Sequence, residues 1–525
     1  MVLTGDSLTG QALLVALLAV PTLGAVVVAL WPAAKDRQAR IVATVFAAVA
    51  FVLSVAPALA GRDQGWTAAG GRSIAPLLPW IDLDLPWVPA LGLRFHLGID
   101  GVSYPLVALT GLLTLLCCAY TVRKVPRGGG SGRTLAVLLL ILEVGVLGTF
   151  LALDLILFFV FFEVVLLPMY AVIAGWGGEK RRAAARKFVL YTLFGSVLLL
   201  LGVLLVVTKS GTGDLVALSG EPVLTRTTQC VVFALLAVAF AVKAPLWPLH
   251  TWLPDAHTEA PTVGSVILAG VLLKMGTYGL IRIGVGVAPD GATWAAPVLG
   301  ILAVVAILAG SLICLRQREL KRLIAYSSVG HMGFVLLGIA TLTVTGLQAA
   351  LLGNVAHGLI TGLLFFLAGT IKDRAGTGSL TQLSGLRETA PRLAGLFGFA
   401  AIASLGLPGL AGFWGEAFAV VAAVRRGGPL WVTLAVVAAV GGALTAAYFL
   451  RLLRGLTHGP ATPTVHSLRP TIAGVEWFAW APLVALILIV GVLPGLILTE
   501  TALPLATILG IPDIGQTHTL SGGGR

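Results

Sequence analysis

Five charged side chains, Glu143, Glu163, Lys243, Lys274 and Glu416, stand inside long apolar runs, and His331 and His357 stand beside them. At the centre of a bilayer one such charge costs about 2.5–3.5 kcal/mol on insertion scales. Five together persist only where they pair with each other or face internal water. Burial disfavours the charged form of any ionisable group, so carboxylates, amines and imidazoles placed in this way are poised to exchange protons. The chemistry open to them is a proton relay. Polar neighbours support it: Ser327 and Ser328 share a helix face with His331, and Asn354 and Thr361 share one with His357. The competing reading is structural. Buried charges also fix helix packing as internal ion pairs, an alternative that weighs most for Glu143, and a core histidine can simply bond a neighbouring helix. Metal ligation by the two histidines lacks a third and a fourth ligand.

The elements that must hold these residues are membrane spans. Of 525 residues, 58% are hydrophobic and 11% are charged, against about 25% charged in soluble chains. That excludes a soluble fold. The apolar residues come in runs of about 20, the length that crosses a bilayer as a helix. An all-α polytopic membrane protein of about fourteen transmembrane helices follows, with spans from about 11–32 to about 477–498. The net charge of +12 does not point to nucleic acid, because basic residues hold loops on the cytoplasmic side. Cys117, Cys118, Cys230 and Cys314 show no spacing for a metal, an iron–sulfur cluster or a disulfide framework. No Lys or Arg precedes the first apolar run, so a cleaved signal peptide is not expected.

Charge sets the expected topology. With both termini outside, alternate loops face inward and carry 23 of the 34 Lys and Arg residues. Nine fall on outward segments, among them Arg62, Arg72, Arg94, Arg282, Arg525 and the ill-fitting pair Arg425–Arg426. The loop 61–100 is expected to form an ordered outer cover or an amphipathic segment.

Two spans carry helix breakers beside an ionisable group. One reads KAPLWPLHTWLPD from Lys243, the other SLGLPGLAGFWGE from Ser404 to Glu416. Proline removes a backbone donor and clashes with the turn before it. Interrupted helices at matching places in two halves point to an inverted-repeat transporter. The expected divisions are helices 1–3 over 1–133, two inverted five-helix repeats over 134–290 and 291–455, and a last helix with its tail over 456–525.

At these residues the sequence resembles the antiporter-like membrane subunits of proton-pumping NADH:quinone oxidoreductase (respiratory complex I). The matching stretches are HLGIDGVSYPLVALTG at 96–111, LALDLILFFVFFEVVLLPMY at 151–170 and FAVKAPLWPLHTWLPDAHTEAPTVGS at 240–265. They continue with LAGVLLKMGTYGLIRI at 268–283, LKRLIAYSSVGHMGFVLLGI at 320–339, AHGL at 356–359 and SLGLPGLAGFWGE at 404–416. The resemblance implies that Glu163 pairs with Lys243, that Lys274, His331 and His357 continue the relay, and that Glu416 ends it. Glu143 lies one helix earlier and is a further candidate. A glutamate at 416 fits the subunit M (chain 4) branch, whereas subunits L and N usually carry lysine there.

The resemblance also implies a bacterial plasma-membrane setting, with the antiporter-like subunits L and N, small membrane subunits and an NADH-oxidising peripheral arm as partners. FMN, iron–sulfur clusters and quinone would belong to those partners, since this sequence shows no nucleotide motif, cluster ligands or quinone signature. The alternative is a subunit of a multisubunit cation/proton antiporter or of a membrane-bound hydrogenase-type complex.

Overall fold

The computed structural model describes residues 8–59, 79–89, 92–126, 129–219, 223–468 and 470–511. Arg62, Arg72, Arg127, Arg469 and Arg525 of the charge pattern, and both chain ends, lie outside these. Backbone polar groups cannot be left open in hydrocarbon, so the apolar runs close into helices. The first part holds α1 (Leu8–Leu30), α2 (Asp36–Val55), strands β1 (Ile81–Val88) and β2 (Leu93–Ile99), and α3 (Tyr104–Arg123). Next come α4 (Gly132–Leu151), α5 (Leu155–Trp176), α6 (Arg181–Ser210), α7 (Arg226–Lys243), α8 (Trp252–Glu259) and α9 (Thr262–Val285). The remainder is α10 (Pro289–Cys314), α11 (Leu320–Ala340), α12 (Val344–Ala375), α13 (Pro391–Ser404), α14 (Ala411–Arg426), α15 (Gly428–Thr457), α16 (Gly474–Val492) and α17 (Gly495–Ile508). Side chains of Ser131, Asp154, Thr225, Glu319 and Thr343 accept the first free amides of the helices they precede, as N-caps do.

Thirteen helices among the described residues are long and apolar enough to cross a membrane. The fourteenth expected span is the interrupted pair α13 and α14, each too short alone. Beyond the expected set lies α17, which starts afresh after Pro494.

Both breaks occur where the prolines stand. α7 stops at Lys243, and the chain runs through Pro245 and Pro248 without helix until α8. The indole of Trp252 donates to the Val242 carbonyl at 3.0 Å, filling an acceptor that the break frees. Between α13 and α14, Gly406 and Gly409 adopt φ of 78° and 90° around Pro408, a region that glycine enters without steric cost. Close packing supports each break. A Cβ on Gly276 of α9 would meet Ala244 N and Phe240 O at 2.8 Å, and one on Gly415 would meet Gly353 Cα at 2.5 Å.

The core is central and charged. α9 is buried along its whole length, and α11 and α12 nearly so. These three helices carry Lys274, His331 and His357. α9 contains two π-helical turns, Leu268–Leu272 and Leu280–Val285. A π turn spreads the backbone and leaves a carbonyl without its usual partner.

Contacts gather the described basic loops at one end of the bundle. Arg133 N donates to Asp36 at 2.7 Å, Arg40 reaches Val122 O at 2.9 Å, and Asp255 lies 2.8 Å from Lys187 and 3.0 Å from Arg322. Lys124 and Arg374 converge on Glu476, which is fully buried. Arg426, half of the ill-fitting pair, donates to the Ala340 carbonyl at 2.7 Å at the end of α11. A cation there is favoured by the helix dipole.

The described part of the 61–100 loop departs from the all-helical expectation. β1 and β2 form an antiparallel hairpin with Asp84 opposite His96. Alternating apolar residues such as Ile81 and Leu83 bury one side, and His96 O accepts from Leu153 N at 2.9 Å. Burial opposes a charge on His96, yet the hydrogen bond and charge of Asp214, with the charges of Asp84 and Asp82, outweigh it. His96 is therefore held above the usual imidazole range.

Overpacking a tight backbone contact costs about 1–3 kcal/mol. Gly276→Val should therefore lower the melting temperature of the purified protein, while Gly395→Val, with open space around it, should not. Equal melting temperatures for the two variants would contradict the packing described for the first break.

Candidate functional site

The π turn of α9 sets the centre of the site. Lys274, fully buried, donates to the freed Ala269 carbonyl and lies 2.6 Å from His357 Nδ1 on α12. Thr361, one turn on, bonds the His357 carbonyl and approaches the same ring nitrogen at 3.4 Å. The rings of His357 and His331 face each other with centroids 5.9 Å apart at 64°. His331 Nδ1 is 2.6 Å from Glu416 Oε1, at the start of α14, and His331 Nε2 is 2.9 Å from Ser404 Oγ, at the end of α13. The second break thus holds His331 from both sides. A cavity of about 20 Å³ touches His331, His357, Thr361, Ser404 and Glu416, and that volume admits one water. The His357 Nε2 is buried with no hydrogen-bond partner among the described residues.

At the first break the arrangement is looser. Ser196 of α6 donates to Glu163, and Lys243 Nζ lies 4.7 Å over the ring of Phe162. A cation over an aromatic face is attracted by the ring quadrupole. No direct ion pair joins Glu163 to Lys243 among the described residues; Lys243 feels that carboxylate across the intervening space. Gly276 brings α9 onto the backbone just before and after Lys243, two residues beyond Lys274.

Of the seven sequence candidates, Lys274, His357, His331 and Glu416 form one continuous line, and Glu163 with Lys243 forms a second group. Glu143 joins neither. It is 1% exposed, and neither of its carboxylate oxygens has a hydrogen-bond partner among the described residues. Ser327 and Ser328 bond back to the Ile324 carbonyl, whereas Asn354 does bridge helices, accepting from Thr277 at 3.0 Å.

Several polar residues escaped the sequence reading. Arg282 is buried within α9, not on an outward segment, and holds both oxygens of Asp100 at 2.6 and 2.5 Å. Its Nε donates to Tyr278 Oη at 3.2 Å. His257, fully buried, stacks on Phe365 with centroids 4.5 Å apart and leaves both ring nitrogens unpartnered. HLGID at 96–100, LIRI at 280–283 and DAHTE at 255–259 all lie within the resembling stretches, so the sequence carries a signal for Arg282 with Asp100 and for His257.

Buried cations and carboxylates strung between two interrupted helices define an ion-translocating type of membrane protein. The chain belongs to the family described as NADH:quinone oxidoreductase/Mrp antiporter, whose model matches residues 152–442. It is 39% identical over 476 residues to a protein named NADH-quinone oxidoreductase subunit M from Rhodobacter capsulatus, covering 88% of this chain and 89% of that one. It is 44% identical over 384 residues to NAD(P)H-quinone oxidoreductase chain 4 1 of Synechococcus sp. (strain JA-3-3Ab), covering 72% of each. Its fold is similar to a chain of respiratory complex I from Thermus thermophilus, with a TM-score of 0.82 at 30% identity, over 95% of this chain and 100% of that one.

Removing one partner of a buried ion pair costs about 3–5 kcal/mol, whereas replacing both by apolar groups is often neutral. Asp100→Asn should therefore sharply lower the melting temperature of the purified protein, and Asp100→Leu with Arg282→Met should restore much of it. A double variant as unstable as the single one would show that the pair does not act as a unit.

Proposed function

We propose that this chain is a proton-translocating membrane-arm subunit of an NADH:quinone oxidoreductase, of the subunit M (chain 4) kind. The observation that carries this is the line Lys274–His357–His331–Glu416, in which each group bonds or faces the next inside the bundle. A proton on Lys274 Nζ passes to His357 Nδ1, breaking one N–H bond and forming another. Protonated there, His357 gives up the proton on Nε2 towards His331, with the small cavity between them as the place for a bridging water. His331 passes a proton to Glu416, where the second break opens the way out. Glu163 acts earlier: while ionised it supports the proton on Lys243, and when that support weakens Lys243 releases its proton towards Lys274.

Moving one charge against 100 mV costs about 2.3 kcal/mol, so the relay needs a driver. Quinone reduction in partner subunits supplies it, with FMN and iron–sulfur clusters in the NADH-oxidising arm and antiporter-like neighbours L and N in the membrane. The basic end of the bundle faces the cytoplasm of a bacterial cell, which puts both termini outside. The two breaks stand at corresponding places in inverted halves, 134–290 and 291–455. The buried chemistry of a cation/proton antiporter subunit would look similar, but a glutamate at 416, bonded to His331, favours the oxidoreductase.

In proteoliposomes carrying the whole complex, Lys243→Ala should abolish NADH-driven proton uptake. NADH oxidation by the peripheral arm, read with an artificial acceptor, should be unchanged. Normal proton uptake by that variant would overturn the proposal.

A further inference from the structure

Between His357 and His331 stands one hydroxyl that the relay leaves without a role. Ser404, the last residue of α13, is buried, and its Oγ lies 2.9 Å from His331 Nε2. Among the described residues that is the only hydrogen bond its side chain makes. Other hydroxyls in these helices behave differently. Thr110, Thr149, Ser328 and Thr361 each bond the carbonyl four residues earlier on their own helix, the usual back-bond of Ser and Thr. Ser404 forgoes that bond and spends its hydroxyl on the imidazole.

Glu416 fixes which way that bond runs. An ionised carboxylate can only accept, so Glu416 Oε1, 2.6 Å away, takes its hydrogen bond from His331 Nδ1–H. The neutral ring then has a bare Nε2, and the serine O–H must donate to it. The hydroxyl oxygen still has lone pairs to accept with. Ser404, His331 and His357 all line the cavity of about 20 Å³, where one water fits. Thr361 lines it too, but its hydroxyl is committed to the His357 carbonyl. The other oxygen of Glu416, Oε2, lies beside Gly406 of the break, 3.3 Å from where a Cβ there would stand.

We propose that Ser404 is a further relay residue, whose hydroxyl carries the proton from the cavity into His331; this rests on the reading of Lys274–His357–His331–Glu416 as a proton path. His357 gives its Nε2 proton to a water in the cavity, and that water gives one of its own to Ser404 Oγ. The serine O–H bond breaks as its proton joins His331 Nε2, so the serine gains one O–H bond for the one it loses. His331 then carries two N–H bonds and passes the Nδ1 proton to Glu416. Entry and exit therefore use different ring nitrogens. They also use different half-helices, since Ser404 ends α13 and Glu416 lies in α14.

Threonine and valine fill nearly the same space and differ by the hydroxyl, so Ser404→Thr and Ser404→Val separate proton transfer from packing. The readout is NADH-driven proton uptake by proteoliposomes carrying the whole complex. Ser404→Thr should stay within about twofold of the unaltered complex, and Ser404→Val should fall roughly tenfold or more, as expected for a lost proton-transfer group. NADH oxidation with an artificial acceptor should be unchanged in both. Equal uptake in the two variants, whether high or low, would overturn the proposal. If neither assembles, the smaller Ser404→Ala is read instead; its uptake should fall roughly fivefold or more, and full uptake would overturn the role. Lys243→Ala is measured alongside. Normal uptake in Ser404→Val with none in Lys243→Ala would remove the serine and leave the proposed function standing. Normal uptake in both would remove the two together.

Discussion

A buried ammonium group must find an acceptor, and the contact of Lys274 with His357 is the constraint on which the centre of this protein depends. Placing a lysine at 0% exposure requires a helix covered on all sides, which is why α9 lies innermost. It requires acceptors as well, and the π turn at Leu268–Leu272 supplies one by releasing the Ala269 carbonyl. The other acceptor comes from α12, in what is proposed to be the opposite half. The contact therefore joins the two halves at one hydrogen bond.

Around that contact, polar groups fall into two kinds. Some are paired with an opposite charge and hold the frame: Arg282 grips both oxygens of Asp100, and Glu476 lies between Lys124 and Arg374. Matched buried pairs of this kind are costly to disturb. Others are left incomplete. Among the described residues, His357 has a bare Nε2, His257 has two bare nitrogens, and Lys243 rests on an aromatic face without an anion in direct contact. Incompletely matched groups beside broken helices and a cavity are the ones whose proton affinity changes when a neighbour moves. The frame keeps those neighbours within reach, and close glycine contacts at 276 and 415 hold each break against its support.

Much of this was legible in the sequence. Apolar runs of the right length gave the spans, and Pro245, Pro248 and Pro408 marked the two breaks because an interior proline removes a backbone donor and clashes with the turn before it. Charge inside apolar sequence picked out Lys274, His357, His331 and Glu416, which the structure brings into one line. What stayed hidden depends on tertiary contacts or on backbone detail. The π turns leave no composition signal. The hairpin at 81–99 was masked by Trp, Pro and Gly nearby, and its pairing depends on register. Arg282 looked like a loop residue because it lies near the end of its span, and only its partner Asp100, 182 residues away, reveals that it is buried. The Ser196 contact to Glu163 and the isolation of Glu143 likewise arise between helices.

The most direct measurement is a double-variant cycle on proton uptake by proteoliposomes, using Lys274→Arg, His357→Asn and the two combined. If Lys274 hands its proton to His357, the two residues act as one step, and the combined variant should pump about as fast as the slower single one. Losses that simply multiply would mean the residues act independently, and would contradict a relay through their contact.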